Sequence, residues 1–183
     1  MFNSVSLDGY FTGDDSDMSW AHKAPDDTEW NTFVSGNARG GGALLLGRVT
    51  YEMMASFWPT PMALKMMPAV ARGMNRMTKF VFSRTLKKPA WQNTKLVKGD
   101  LVAAVRKLKR SRGPGIAILG SGSLVAQLAP TGLIDEYQLV VCPIVLGSGR
   151  TLFEGVNPPL HLRQTGSRSF ANGSVVLTYR PEQ

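Results

Sequence analysis

Ile116-Ala117-Ile118-Leu119-Gly120-Ser121-Gly122-Ser123-Leu124 carries an apolar strand straight into a glycine-rich turn, and the residues that follow, through Ala129, read as a helix. Just upstream, Asp100 is a good N-cap for a helix whose apolar positions Leu101, Val102, Val105 and Leu108 recur at helical spacing. Gly113-Pro114-Gly115 stops that helix, and Thr94 to Lys98 supplies a strand before it. The order is strand, helix, strand, helix, and crossovers of that kind join parallel strands.

Toward the N-terminus the alternation continues. Lys79 to Ser83 is a strand built on Phe80, Val81 and Phe82, and Ala43 to Leu46 is a short buried strand leading into Gly47-Arg48. Pro25-Asp26-Asp27-Thr28-Glu29 is a helix-start signal whose acidic groups suit the first turn, and Gly40-Gly41-Gly42 ends that helix. Val49 to Trp58 reads as a helix closed by Pro59 and Pro61, and Met62 to Met77 as a further short helix. Met1 to Leu7 alternates weakly as a first strand, broken by Asp8-Gly9 and followed by a polar loop over residues 13–18. It is a candidate central strand only if a few residues precede Met1, which the genomic start codon tests. At the other end, Asp135 to Leu146, Leu160 to Phe170 and Ser174 to Arg180 are strand-like and joined by Gly147-Ser148-Gly149 and Asn172-Gly173, which predicts an antiparallel finish. The expected fold is a single three-layer α/β/α domain over residues 1–183, with a mixed, mostly parallel central sheet.

Composition sets the outer limits. With 43% of the 183 residues apolar and only 19% charged, the chain has the material for a packed core, and disorder is excluded. The balance of 21 Lys and Arg against 13 Asp and Glu gives +8, which favours an anionic partner: nucleic acid, a membrane surface or a phosphorylated small molecule. No apolar run approaches the roughly 18 residues of a membrane helix, so a soluble, cytoplasmic protein is expected. Cys142 is the only cysteine and lies in the apolar run Tyr137 to Val145, so it reads as an inert core thiol and no intrachain disulfide is possible.

The turn Gly120 to Ser123 has two readings. Exposed amides at a helix start make a phosphate cradle without charged side chains; equally, the glycines serve a tight strand-to-helix connection. A dinucleotide fingerprint would need Gly at position 125, where Val125 stands, which disfavours a standard NAD site. Two other strand ends carry cations beside hydroxyls: Gly47-Arg48-Val49-Thr50-Tyr51 and Ser83-Arg84-Thr85. Ligands in open α/β sheets collect at the carboxyl ends of parallel strands, so all three groups are expected to face one crevice. An Arg and Ser pocket added to a pyrophosphate cradle suits NADP(H) better than NAD(H). Singly, each arginine reads equally as a solvated turn residue.

Six blocks in order resemble one family: Ser6-Leu7-Asp8-Gly9-Tyr10, Gly47-Arg48-Val49-Thr50-Tyr51-Glu52, Phe82-Ser83-Arg84-Thr85-Leu86, Leu119 to Leu124, Gly132-Leu133-Ile134-Asp135-Glu136 and Pro143-Ile144-Val145-Leu146-Gly147. The chain resembles the dihydrofolate-reductase-like family that includes the C-terminal reductase domain of bacterial riboflavin biosynthesis, RibD, from Ser6 to about Tyr179. That resemblance implies NADPH as hydride donor, a small heteroaromatic substrate of pterin or pyrimidine type, and commonly a homodimer. It places Arg48, Thr50, Ser83 and Arg84 at the adenosine phosphate end and Gly120, Ser121, Gly122, Ser123 and Leu124 around the pyrophosphate. Ser6 and Trp20 then lie at the nicotinamide end, with Ser4 and Met18 toward the substrate. One departure is Leu119, where the riboflavin enzyme carries an acidic residue just before its cradle; another is the lack of any deaminase zinc signature.

A proton must accompany the hydride. Asp8, at the end of the first strand, is the first candidate donor and Asp17 the second, with turn capping by Asp8 and proton supply by water as the alternatives. Trp20, Trp30, Phe57 and Trp58 are candidates to line a slot for a flat substrate, Trp20 foremost because it lies in a loop. His22 and His161 have no spaced partners, so no metal site is expected and a hydrolytic triad is disfavoured. The competing classes are an NADP-binding protein without turnover, and nucleic-acid binding by the basic face from Arg106 to Arg112 with Lys87, Lys88, Lys95 and Lys98. Cations near a helix C-terminus also complement its dipole, and no nucleic-acid or membrane partner is expected.

Overall fold

The computed structural model describes residues 1–14, 17–111, 113 and 115–182. Asp15 and Ser16 of the polar loop, Arg112 of the basic face and Pro114 of the helix stop lie outside the described residues. From the N-terminus, β1 (Phe2–Ser6) and β2 (Tyr10–Thr12) precede α1 (Thr28–Arg39), β3 (Ala43–Gly47) and α2 (Arg48–Phe57). Then come α3 (Pro61–Met66), α4 (Pro68–Arg76), β4 (Thr78–Phe82), β5 (Thr94–Val97) and α5 (Leu101–Arg110). The chain continues as β6 (Ile116–Ile118), α6 (Gly122–Leu128), β7 (Tyr137–Cys142), β8 (Arg150–Thr151), β9 (Leu162–Ser169) and β10 (Val175–Pro181). Among the described residues, no helix is long and apolar enough to cross a membrane.

These elements fall into two compact units, one made of Pro25–Ser121 and the other of Met1–Ala24 with Gly122–Gln183. In the first, four strands form an all-parallel sheet in the order β5-β4-β3-β6. Burial on both faces explains why Ala43 to Leu46 is a continuous apolar run without alternation. Leu44, Leu46 and Val81 form one core with Ala38 of α1, Tyr51 of α2, and Val70 and Met74 of α4. The helix starts follow the capping chemistry. Asp27 accepts the Trp30 amide at 2.9 Å, and Asp100 accepts the Ala103 amide at 2.6 Å. The exposed cations of α5 cluster in its last turn, Lys107, Lys109 and Arg110, where they complement the dipole.

The second unit holds the mixed sheet β1-β7-β10-β9, in which β1 runs parallel to β7 and the last three strands are antiparallel. The antiparallel finish is as expected, and hydrogen bonding distributes parallel and antiparallel strands over two sheets. Asp135 to Leu146 yields only six residues of strand, Tyr137–Cys142. A two-stranded ribbon, β2 with β8, was not expected, because segments of three and two residues are too short to show alternation. Cys142 is 1% exposed, and its sulfur accepts from Lys23 Nζ at 3.3 Å.

Residues 62–77 form two helices where one was expected. Pro68 has no amide to donate and restricts the residue before it, so α3 ends at Met66, Met67 leaves helical geometry at φ −136°, and α4 starts with Pro68. Just beyond α4, Lys79 is fully buried. Its ammonium donates to the carbonyls of Asn75 at 3.0 Å and Gln92 at 3.1 Å and lies 4.2 Å from the Trp91 ring centre. Asn75 Oδ1 in turn accepts the Trp91 indole N–H at 2.6 Å.

Burial lowers the Lys79 pKa from 10.5 to about 8. Between those values the unfolded chain binds more protons, so stability should rise with pH across that window, by at most about 3 kcal/mol. Denaturant unfolding at pH 7.5 and at about pH 10 should show that rise in the unsubstituted protein and lack it in Lys79→Met.

Candidate functional site

Three strand ends meet at one edge of the parallel sheet. The register pairs Gly47 with Phe82 and Leu45 with Ile118, so Gly47-Arg48, Ser83-Arg84 and Gly120-Ser121 leave the sheet at the same end. With strands about 4.8 Å apart, the two strands flanking β3 are about 10 Å from each other. Within the unit Pro25–Ser121 the three segments therefore share one end of the sheet. Arg48 and Arg84 are exposed; Arg48 Nη1 bonds Glu52 at 2.7 Å, while Arg84 has no carboxylate partner among the described residues. A surface pair of that kind contributes little to stability, so Arg48 can exchange Glu52 for another anion at small cost.

Hydroxyls organise this edge. Ser121 Oγ accepts the Gly47 amide at 2.7 Å, and Thr50 Oγ1 accepts the Ser121 amide at 3.0 Å. The turn after β6 is thus tied to the turn after β3. Ser83 Oγ accepts the amides of Thr85 at 3.1 Å and Leu86 at 2.9 Å, shaping the turn that presents Arg84. The Ser121 amide, one of the donors expected in a cradle, is therefore already bonded within the protein, as is the Gly47 amide. The first-turn amides of α6, from Gly122, Ser123 and Leu124, have no partner inside the helix.

Both glycines of the turn answer to packing. Gly120 has φ +57°, and a Cβ there would stand 2.9 Å from Thr50 Cγ2. A Cβ on Gly122 would press on the Phe11 ring at 3.2 Å. The tight-connection reading of these residues is thus sufficient by itself to require glycine. Leu124 is 5% exposed, so its side chain belongs to the core.

Ser4, Ser6, Met18 and Trp20 lie in the other unit. Ser6 is buried, and its Oγ accepts the Tyr10 amide at 2.8 Å; Ser4 is half-buried on the same strand. Met18 and Trp20 are half-buried in and beside a single 3-10 turn, Ser19–Ala21, and Trp20 Nε1 donates to the Asp17 carbonyl at 3.1 Å. Phe57 ends α2 in the unit Pro25–Ser121 and packs edge-on against Trp58, with ring centres 5.1 Å apart. Trp30 is buried on α1 against Phe33. Asp26, Asp27 and Glu29 open α1, and Asp27 is occupied as its cap.

Asp8, the first candidate donor, is tied to a distant loop. Its two carboxylate oxygens accept the amides of Leu146 at 3.1 Å and Gly147 at 2.8 Å. The Ser6 hydroxyl foremost, then the Gly147 and Leu146 amides, lower its pKa from 3.8 to about 2. Through those two amides it anchors the loop after β7. The Ser19 hydroxyl and amide likewise hold the Asp17 pKa down.

Sequence reasoning missed Asp14 and Ser148, whose side chains hydrogen-bond to each other across 134 positions. With Gly13, Asp17, Trp20 and Leu146 they line an open concavity of about 340 Å³. Gly147-Ser148-Gly149 is the loop it was expected to be, and nothing local in the sequence signals its partner.

Residues 1–176 match the family model of the RibD C-terminal domain. The Bacillus subtilis (strain 168) protein named Uncharacterized protein YyaP is 27% identical over 176 residues, covering 96% of this chain and 90% of its own. A putative riboflavin biosynthesis protein from Shewanella sp. PV-4 has a crystal structure that superposes with TM-score 0.75 at 25% identity, covering 100% of this chain and 97% of its own. Dihydrofolate reductase from Enterococcus faecalis, complexed with NADP(H) and RAB-propyl, shares the fold at TM-score 0.63 and 13% identity, covering 100% and 95% of the two chains.

Two outcomes follow from this geometry. Gly120→Ala should lower stability by about 1–3 kcal/mol in thermal unfolding, through left-handed strain and the Thr50 contact. The Asp8 anchor is fully formed above pH 3.8 and is lost as pH falls toward 2. Amide exchange at Leu146 and Gly147, normalised to intrinsic rates, should therefore speed up across that range, and Asp8→Ala should show the fast rates already at pH 6.

Proposed function

Because the chain belongs to the RibD C-terminal domain family, we propose that it is an NADPH-dependent reductase that transfers a hydride to a small heteroaromatic substrate. The observation that carries this reading is the common edge at which β3, β4 and β6 deliver Arg48, Arg84 and the Gly120-Ser121 turn. A phosphate monoester is met well by exposed guanidinium groups, and the unpaired Arg84, on a turn fixed by Ser83, is the better placed of the two. Thr85 and Gly47 complete the two turns that frame the group. Thr50 and Ser121 act by holding the turn after β6 in place, while for Gly122, Ser123 and Leu124 a pyrophosphate role rests on the family pattern alone. For Ser4, Ser6, Met18 and Trp20 the assignment rests on the family pattern, and so does a homodimer. The cofactor supplies the hydride when bound; the protein's part is to bind, orient and exclude water. With Asp8 held ionised, the accompanying proton comes from water.

The ionic contact of Arg84 with a 2′-phosphate is absent with NADH. Arg84→Ala should weaken NADPH binding at least tenfold, as expected for loss of a charge-assisted bond, and leave NADH nearly unchanged in equilibrium titrations. Equal losses for the two cofactors would remove Arg84 from the phosphate site. Substrate-dependent loss of NADPH absorbance with a pterin, pyrimidine or quinone panel then tests turnover.

A further inference from the structure

We propose that the α3–α4 surface of the unit Pro25–Ser121 docks on an anionic lipid surface, with Met62, Leu64 and Met66 entering the headgroup boundary and Lys65, Arg72 and Arg76 meeting the lipid charges. The docking is independent of the reductase reading. In sequence, residues 62–77 read as one helix and no membrane partner is expected. The break at Pro68 instead leaves α3 a separate helix of which only Ala63 is buried. Met62 is 64% exposed, Leu64 41% and Met66 48%, three of the seven large apolar side chains that the described residues expose. Apolar surface concentrated on one short element marks a contact with an apolar phase or partner.

Charge selects among the occupants. No acidic residue lies between Glu52 and Asp100, a stretch that holds nine lysines and arginines. Lys65 at the end of α3, and Arg72 and Arg76 one turn apart on α4, are exposed and have no carboxylate partner among the described residues. A second copy meeting this face about a two-fold axis would set these cations against their own counterparts, with no carboxylate in the stretch to offset them. A nucleic acid would be met by the cations but would leave the methionines and the leucine in water. A bilayer with anionic headgroups satisfies both sets, because apolar side chains enter the acyl boundary while the cations stay at the phosphate level. Lying on a bilayer is a different state from crossing it, for which no helix among the described residues is long and apolar enough.

The tip is built before any contact is made. The Thr60 hydroxyl accepts the Ala63 amide at 3.2 Å and donates to the Phe57 carbonyl at 2.7 Å, and Pro61 starts the helix. Asn75 of α4 donates its side-chain amide to the Trp58 carbonyl at 3.0 Å, which ties the turn before α3 to α4. Fixing the approach to α3 in this way lowers the ordering cost of docking. Methionine suits such a surface, since its unbranched side chain adapts to irregular surroundings. One short helix with three cations gives reversible docking, not a permanent anchor.

Co-sedimentation of the full chain with lipid vesicles tests the docking. Partitioning onto vesicles of equal parts phosphatidylcholine and phosphatidylglycerol should exceed that onto pure phosphatidylcholine at least about tenfold, and should fall with added salt. Two triple variants separate the contributions. Met62→Ser with Leu64→Ser and Met66→Ser removes the apolar tip and keeps every charge; Lys65→Gln with Arg72→Gln and Arg76→Gln removes the cations and keeps the tip. Each should weaken partitioning at least about tenfold. An equal charge loss on α5, which lies outside the core cluster that α4 packs into, is made by Arg106→Gln with Lys107→Gln and Arg110→Gln, and should change partitioning less than about threefold. Absence of partitioning onto the anionic vesicles, or an equal loss in the α5 variant, overturns the proposal. Full partitioning by the serine variant overturns it too, since the surface is then a bare polyanion site of the kind a nucleic acid would use. A dimer in sedimentation velocity that the serine variant dissociates does the same, because the face then belongs to a second copy.

Discussion

One hydroxyl, that of Ser121, fixes the relation between the turn after β6 and the turn after β3, and the candidate cofactor edge depends on it. It accepts the Gly47 amide while its own main-chain N–H is held by Thr50. That pair of bonds brings Thr50 so near Gly120 that no side chain fits there. The glycine-rich turn is thereby a structural joint first. Its main-chain donors at Gly47 and Ser121 serve that joint.

The parallel sheet was readable because its determinants are local. Apolar runs at 43–46, 80–82 and 116–118, separated by capped amphipathic helices, admit few arrangements other than parallel strands joined by crossovers. The split at Pro68 was equally local, but the methionines on both sides masked it by continuing an apolar pattern across a residue that cannot continue a helix. The β2 and β8 ribbon and the buried ammonium of Lys79 had no such signal. Each depends on partners supplied by distant segments, and a lysine between Thr78 and Phe80 looks like the polar position of an alternating strand.

The candidate site divides the same way. That the segments beginning at Gly47, Ser83 and Gly120 share an edge followed from the rule for parallel strands and needed no long-range information. The role of Asp8 was decided elsewhere, by amides at 146 and 147 that no nearby residue announces. A carboxylate at a strand end looks the same in sequence whether it donates a proton or ties down a loop; only its partners distinguish the two. Asp14 and Ser148 were invisible for the same reason.

The unit containing β1 is assembled from two stretches of chain, Met1–Ala24 and Gly122–Gln183, with all of Pro25–Ser121 between them. In the mixed sheet β1 has a single hydrogen-bonded neighbour, β7. During synthesis the ribosome therefore releases β1 long before β7, its hydrogen-bonded neighbour among the described residues, whereas every strand of the parallel sheet has emerged by then. An early-made strand is thus among the last to find its place, and the slow closure of a long loop, not local propensity, sets when it does.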